Sequence, residues 1–366
     1  MTPYLLIGLA AALVAYIATP VAGWVAMRIG AIDHPNDRKV HAKPTPTLGG
    51  MAILLGLVGA AIAAVSLPDV KQILTQSSAP LGIVAGGVVI FALGAVDDLR
   101  DLPAPVKLAG QVFAAGILFL SGVRMPYLLL PSGELYVLGN DVSVLVTVGW
   151  LVLMINAVNL TDGLDGLAAG TVAIAASSFF VYSYELAQVS DNQTAAPMVA
   201  IATVGACLGF LRFNFHPARI FMGDSGSMLL GLVLGAATVI GIAGAPAAVN
   251  ETSVFLAYAP LLIPLSVVAL PIADALLAIV RRARRRRSVF HADKEHLHHR
   301  LMDLGHGHRQ AVIVMYIWSA LAAGSALGFT FLEGNDLVYV LPVAVGALVL
   351  YTLFPVLTKA LQNRAG

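Results

Sequence analysis

Four stretches of the chain concentrate side chains able to do acid, base or metal chemistry. D-D-L-R-D-L-P-A-P-V-K (97–107) carries Asp97, Asp98, Asp101 and Lys107. N-A-V-N-L-T-D-G-L-D-G (156–166) carries Asn156, Asn159, Asp162 and Asp165. F-N-F-H-P-A-R-I-F-M-G-D-S-G-S (213–227) carries Asn214, Arg219 and Asp224, and H-L-H-H-R-L (296–301) carries His296, His298, His299 and Arg300. Mg²⁺ is held by oxygen ligands, usually one or two carboxylates together with substrate phosphates. Asp and Asn without Cys suit that ion better than zinc. Lys, Arg and His beside them can stabilise phosphate oxygens during transfer. Glycines at 163, 166, 223 and 226 let backbone approach a ligand. These residues point to a metal-assisted reaction on a phosphate substrate. A zinc reading of the histidines lacks a Cys or carboxylate at familiar spacing, and His34, His41, His306 and His308 read as ordinary loop residues.

The elements that must position these groups are membrane helices. Of 366 residues, 58% are hydrophobic and 11% charged, whereas soluble domains carry about 25% charged residues. A span needs about 20 apolar residues. Eleven candidates run roughly over 5–27, 49–68, 79–96, 108–123, 143–158, 166–184, 195–211, 225–244, 254–276, 311–332 and 337–357. The first lacks the basic start of a signal peptide and reads as a retained span. The lone Cys207 sits in an apolar run and allows no disulfide within the chain.

Orientation follows from Lys and Arg, which collect on the cytoplasmic side. Taking the loops alternately, every basic residue but Lys71 and Arg124 falls in one set. The N-terminus is therefore expected outside and the C-terminus inside, with all four chemical stretches facing the cytoplasm. The run Arg281–Arg287 reads as an anchor at the inner surface. The outer stretch 124–142 has apolar runs around Pro-Ser-Gly and predicts a small β-hairpin. The fold class is an all-α polytopic membrane protein, one domain over 1–366, with no nucleic-acid partner expected.

Together the four stretches resemble the polyprenyl-phosphate N-acetylhexosamine-1-phosphate transferases, a superfamily of WecA/TagO-type enzymes, MraY translocases and the eukaryotic dolichyl-phosphate enzyme. The resemblance covers nearly the whole chain. It implies that the Asp97–Asp98 pair lies near the lipid phosphate, as base, positioning group or, in an older proposal, covalent nucleophile. It implies Asp224 as the principal Mg²⁺ ligand (Mn²⁺ being a substitute), with Asn159 as a second metal-site residue. Asp162 and Asp165 match acidic residues required for activity. Asn214 matches the uridine region and Lys107 a basic residue near the phosphates. P-T-P-T-L-G-G (44–50) resembles a first cytoplasmic signature and brings Thr47, with Lys43, to the border of the site. Asp101, Asn156, Arg219 and Arg300 join these as candidate substrate contacts, and His296, His298 and His299 as candidate catalytic groups.

The histidine stretch is closer to the WecA/TagO type than to MraY, whose three consecutive histidines precede Phe-Glu. The resemblance therefore implies a UDP-N-acetylglucosamine donor, an undecaprenyl or decaprenyl phosphate acceptor, and a single in-line displacement that releases UMP. The lipid-linked sugar would start cell-envelope glycan synthesis. A C2 homodimer is the default assembly. Two rivals remain on the sequence: an MraY-type enzyme taking a UDP-muramoyl-peptide, and a secondary transporter. Transporters place ionisable groups near the bilayer midplane, whereas these spans are almost free of charge. The Asp-Gly-x-x-Ala-Arg signature of the CDP-alcohol enzymes is absent.

Overall fold

Helix α1 (Thr2–Ile29) shows how an apolar sequence becomes part of a bundle. Ile7, Ala11, Ala15, Ala18, Ala22 and Ala26 are buried at three- and four-residue steps. Leu5, Leu9, Leu13 and Ile17 stand on another face, each more than half exposed. Small residues inside and large apolar ones outside reverse the pattern of a water-soluble surface helix. They suit close helix packing within lipid.

The computed structural model describes residues 1–35, 43–129, 135–189, 194–244, 259–266, 269, 306–331 and 341–352. The order is α1, β1 (Ile32–Asp33), β2 (Thr45–Pro46), α2 (Gly49–Ser66), α3 (Pro68–Thr75), α4 (Ala79–Arg100), α5 (Ala104–Leu120), β3 (Tyr127–Leu129) and β4 (Leu135–Val137). Then come α6 (Asn140–Thr161), α7 (Leu167–Val189), α8 (Ala196–Asn214), α9 (Gly223–Gly244) and α10 (His308–Phe331). Among the described residues, α1, α2, α4, α6, α7, α8, α9 and α10 are long and apolar enough to cross a membrane. The chain is a multi-pass membrane protein. Helix α5 and a further helix, Leu341–Thr352, are apolar but shorter. Of the span expected over 254–276, the described part is 259–266 and 269, all helical.

Helix α9 forms the middle of the bundle. Its apolar window is 94% buried, against 39% for α1, α2 and α6. It packs against α2, α4, α6, α7 and α8. Contact with α6 is close enough that a Cβ on Gly231 would meet the Met154 carbonyl at 2.6 Å.

The hairpin expected over 124–142 forms, with Tyr127 opposite Val137 and Leu128 opposite Tyr136 in antiparallel register. A second small ladder was not foreseen: β1 pairs with β2 antiparallel, Ile32 opposite Pro46. Thr47 then forms a parallel bridge with Phe221. Backbone N–H groups of Gly49 and Gly50 donate to the carbonyls of Phe221 (3.0 Å) and Met222 (3.1 Å). Through these bonds the P-T-P-T-L-G-G signature ties the start of α2 to the start of α9.

Two boundaries differ from the sequence expectation in a way that matters. Helix α4 runs on through Arg100, so Asp97 and Asp98 stand on its last turn rather than in a loop. Helix α6 runs to Thr161 and carries Asn156 and Asn159 one turn apart on one face. Asp, Arg and Asn in a last turn cost a helix little, and terminal polar groups solvate the open carbonyls. A reading that stops each span at its first polar residue therefore stops too early.

Candidate active site

The ends of α4, α5, α6 and α9 meet in one acidic cluster. Asp224 sits in the first turn of α9 and Asp97 in the last turn of α4. Lys107, near the start of α5, bridges them: its Nζ forms an ion pair with Asp97 and lies 3.2 Å from Asp224 Oδ2. The Asp97 side chain is almost wholly buried, at 3% exposed, while those of Lys107 and Asp224 are about a third exposed. The Leu102 N–H donates to Asp97 Oδ1 at 2.6 Å. This bond folds the chain back over the end of α4, where Asp101 takes a left-handed conformation and stands exposed. Two carboxylates on one ammonium make a site built to hold positive charge.

Asp98 points elsewhere. Its carboxylate accepts the backbone N–H of Asp224 at 2.7 Å and of Ser225 at 3.3 Å. It caps α9 from outside that helix, satisfying donors a helix start leaves open. The close approach depends on glycine. A Cβ at Gly94 would strike the Ser225 backbone, and one at Gly223 would strike the Asp98 carboxylate and Thr47 Oγ1. Gly223 has φ +70°, a conformation that favours glycine. Thr47 is thus buried against the turn that carries Asp224.

Asn159 donates Nδ2 to Asp224 Oδ1 (3.0 Å) and to Ser227 Oγ (2.9 Å). The Ser227 hydroxyl in turn donates a hydrogen bond to the Gly223 carbonyl at 3.0 Å. This chain orients the Asn159 amide so that its N–H side faces Asp224. Asn156, one turn further into α6, is engaged away from this cluster. Its amide pairs with Gln111 of α5 (2.7 Å) and donates to the Val152 carbonyl (2.8 Å). Gln111 had no sequence signal beyond being a polar residue in an apolar span.

The loop 162–166 leads from α6 to α7. Asp162 is half-buried. Burial first, and then the charges of Asp224, Asp98 and Asp165, push its pKa up to about 8. Asp165 turns to a different set of partners: its Oδ2 lies 2.7 Å from His216 Nδ1 and accepts the Ala218 N–H at 3.1 Å. Asn214 joins the same region. Its Oδ1 accepts the Gly166 N–H (3.1 Å) and its Nδ2 donates to the Ile220 carbonyl (2.9 Å), so both ends of this buried amide are engaged. Arg219 is exposed.

The structure therefore brings Asp97, Asp98, Lys107, Asn159, Asp224 and Thr47 together, with Asp162 within electrostatic reach. It gathers Asp165 and Asn214 about the joint after α8 and assigns Asn156 to helix packing. His296, His298, His299 and Arg300 lie outside the described residues, as do His41 and Arg281–Arg287. His308, read from sequence as a loop residue, opens α10 and stacks on His216. No periodicity marks either residue, and only their place beside recognised motifs could have drawn attention to them.

Comparison with known proteins gives the family of the chain. Residues 80–242, which include nearly all of α4, the whole of α5, α6, α7 and α8 and most of α9, match the model for glycosyl transferase family 4. A decaprenyl-phosphate N-acetylglucosaminephosphotransferase of Mycolicibacterium smegmatis is 41% identical over 365 residues, covering 97% of this chain and 89% of its own. The chain belongs to glycosyl transferase family 4. A Bacillus subtilis relative, named a probable undecaprenyl-phosphate N-acetylglucosaminyl 1-phosphate transferase, is 35% identical over 85% of this chain and 80% of its own. A phospho-N-acetylmuramoyl-pentapeptide-transferase of Desulforudis audaxviator is 34% identical over 89% and 98%. Within this family of transferases, the matched segment contains every member of the acidic cluster except Thr47.

Proposed function

We infer that this transferase moves N-acetylglucosamine-1-phosphate from UDP-N-acetylglucosamine to a polyprenyl phosphate, decaprenyl or undecaprenyl, and releases UMP. The observation that carries the reading is the Asp97–Lys107–Asp224 cluster at the meeting of α4, α5 and α9, in a chain 41% identical to a decaprenyl-phosphate N-acetylglucosaminephosphotransferase. The MraY-type reading is weaker on the same comparison, at 34%.

Mg²⁺ is the proposed cofactor, and the residues present fit it. Asp224 and Asp97 are oxygen donors already arranged about a cation, and the chain's single thiol, Cys207, is buried within α8. When bound, the ion would offset the charge of the donor diphosphate and the departing UMP. Asn159 would act from behind Asp224, fixing which of its oxygens faces outward. Lys107 would supply further positive charge to phosphate oxygens.

A phosphomonoester has a second pKa of about 6, so the acceptor is already largely ionised at neutral pH. Both oxygens of Asp98 are engaged by backbone N–H groups. These two points favour a positioning role for Asp98 over that of a base. The remaining requirement is in-line placement of acceptor and donor, which is how most of the barrier to phosphoryl transfer is lowered. An apolar cavity of about 630 Å³, lined in part by Leu54, Leu57, Ile83, Val84, Leu229 and Val233, lies along α2, α4 and α9. It offers hydrocarbon-compatible space between these helices, beside the first half of α4, away from the last turn that carries Asp97 and Asp98.

The site is proposed to face the cytoplasm, because nearly all Lys and Arg fall in the loops on that side. A cysteine placed at Ser132 should then react with an impermeant reagent added outside; reaction only from within would invert the orientation. The reaction is tested by UMP release from purified protein in detergent, with UDP-N-acetylglucosamine, polyprenyl phosphate and Mg²⁺. Release that needs both lipid and metal and stops with tunicamycin supports the reading. Release only with UDP-muramoyl-pentapeptide moves the chain to the MraY branch.

A further inference from the structure

Beside the Asp97–Lys107–Asp224 cluster lies a second group of side chains, which turn towards partners of their own. Asp165 comes from the loop before α7, His216 from the joint after α8, and His308 from the first turn of α10. Their ligand atoms all lie within 4.8 Å of one another, and no other such group occurs among the described residues. The rings of His216 and His308 stack with centroids 4.0 Å apart and planes 18° from parallel. Arg309 donates Nε to the His216 carbonyl at 2.9 Å, which holds the start of α10 in place.

His308 is the anomaly. Both of its ring nitrogens are enclosed, and neither has a hydrogen-bond partner. A buried polar group without a partner costs about 1–3 kcal/mol, so such groups call for an explanation. The ring borders a cleft of about 340 Å³ lined by His216, Pro217, Gly307, Arg309 and Gln310, which gives a small ligand a way in.

One carboxylate and two imidazoles make a donor set for borderline transition ions such as zinc, whereas Mg²⁺ prefers oxygen throughout. An anion is the poorer fit, because Asp165 would oppose it. We propose that Asp165, His216 and His308 form a second divalent-cation site, of zinc-class preference, that fastens the first turn of α10 to the loop 162–166. In the present arrangement the two imidazole rings are stacked rather than converging on one point. To hold the shared ion, the His308 ring would have to turn one of its nitrogens towards Asp165 and His216. The contact would add to the one from Tyr316, whose hydroxyl donates to the Gly166 carbonyl.

The test uses full-length protein without a histidine tag, stripped of metal and titrated with Co²⁺ in excess Mg²⁺, followed by visible absorption. Wild type should show a saturable Co²⁺ band. His308→Ala and Asp165→Asn should weaken binding by more than about tenfold. Asp224→Asn should leave the band intact, as should combined replacement of His296, His298 and His299 by alanine. Zn²⁺ should raise the melting temperature of wild type but not of His308→Ala. A wild type with no Co²⁺ band, a band kept in His308→Ala, or a band lost with Asp224 or with the histidine stretch would each overturn the proposal.

Discussion

The Asp98 carboxylate, at the end of α4, holds the backbone N–H of Asp224 at the start of α9 with a 2.7 Å hydrogen bond. Adjacent acidic residues in one motif thus divide their work. Asp97 takes the Lys107 ion pair, and Asp98 fixes the helix that presents Asp224.

This division predicts how the pair responds to substitution. Asp98→Ala should lower stability by about 0.5–2 kcal/mol, the usual loss of a helix cap, and reduce turnover through misplacement of Asp224. Asp98→Asn should turn over more slowly yet keep the acidic limb of the wild-type pH–rate profile. If that limb vanishes in Asp98→Asn, Asp98 is the base and the positioning role fails.

Lys107→Met leaves the Asp97 and Asp224 carboxylates facing each other without a cation. Turnover should fall on the order of 10²-fold, as when one charge-stabilising donor is lost. The metal-free variant should melt below wild type, and Mg²⁺ should recover more of the difference than it adds to wild type. An equal Mg²⁺ shift in both proteins would show that the ion binds away from this pair.

Gly223→Ala combines a positive φ with a collision against Asp98 and Thr47. The conformation alone costs about 1–2 kcal/mol, and displacement of Asp224 should remove most activity. Gly116→Ala is the control. Its Cβ would meet nothing within 4 Å, so it should be neutral or gain about 0.5–1 kcal/mol as a helical glycine replaced by alanine. Equal effects in the two variants would mean that the Gly223 turn is not under constraint.

Asp162 gives a pH dependence. Its pKa is raised to about 8 in the folded protein, while an unfolded aspartate titrates near 3.9. Between those values the folded state binds the extra proton, so this group makes stability fall as pH rises from about 4 to about 8. In metal-free protein, Asp162→Asn should flatten the decline, with its largest gain over wild type above pH 8 and little difference near pH 4. Melting curves across that range would decide it; parallel curves would mean that Asp162 titrates normally.

Much of this architecture is legible in the sequence because lipid imposes simple rules. Long apolar runs mark helices such as α1 and α9, and the Pro-Ser-Gly break marks the β3–β4 hairpin. The acidic residues that meet around Lys107 stand out because charge is rare elsewhere in the chain. What stays hidden depends on side-chain direction. Nothing in D-D tells which aspartate pairs with lysine and which caps a helix. Likewise Asn156 and Asn159 share a motif, yet one turn of helix separates packing against Gln111 from contact with Asp224. The β1–β2 ladder is invisible because its strands are two residues long. His216 and His308 are 92 positions apart in the chain and meet only when α10 docks.

Helix α9 is walled by protein along almost its whole length. Peripheral helices such as α1 answer to the bilayer, tilting or shifting when its thickness does not match their apolar length. Such adjustments reach α9 only through its neighbours. The carboxylate of Asp224 is therefore buffered against changes in lipid composition, so that one arrangement of the candidate site can persist while the membrane around it thickens or thins.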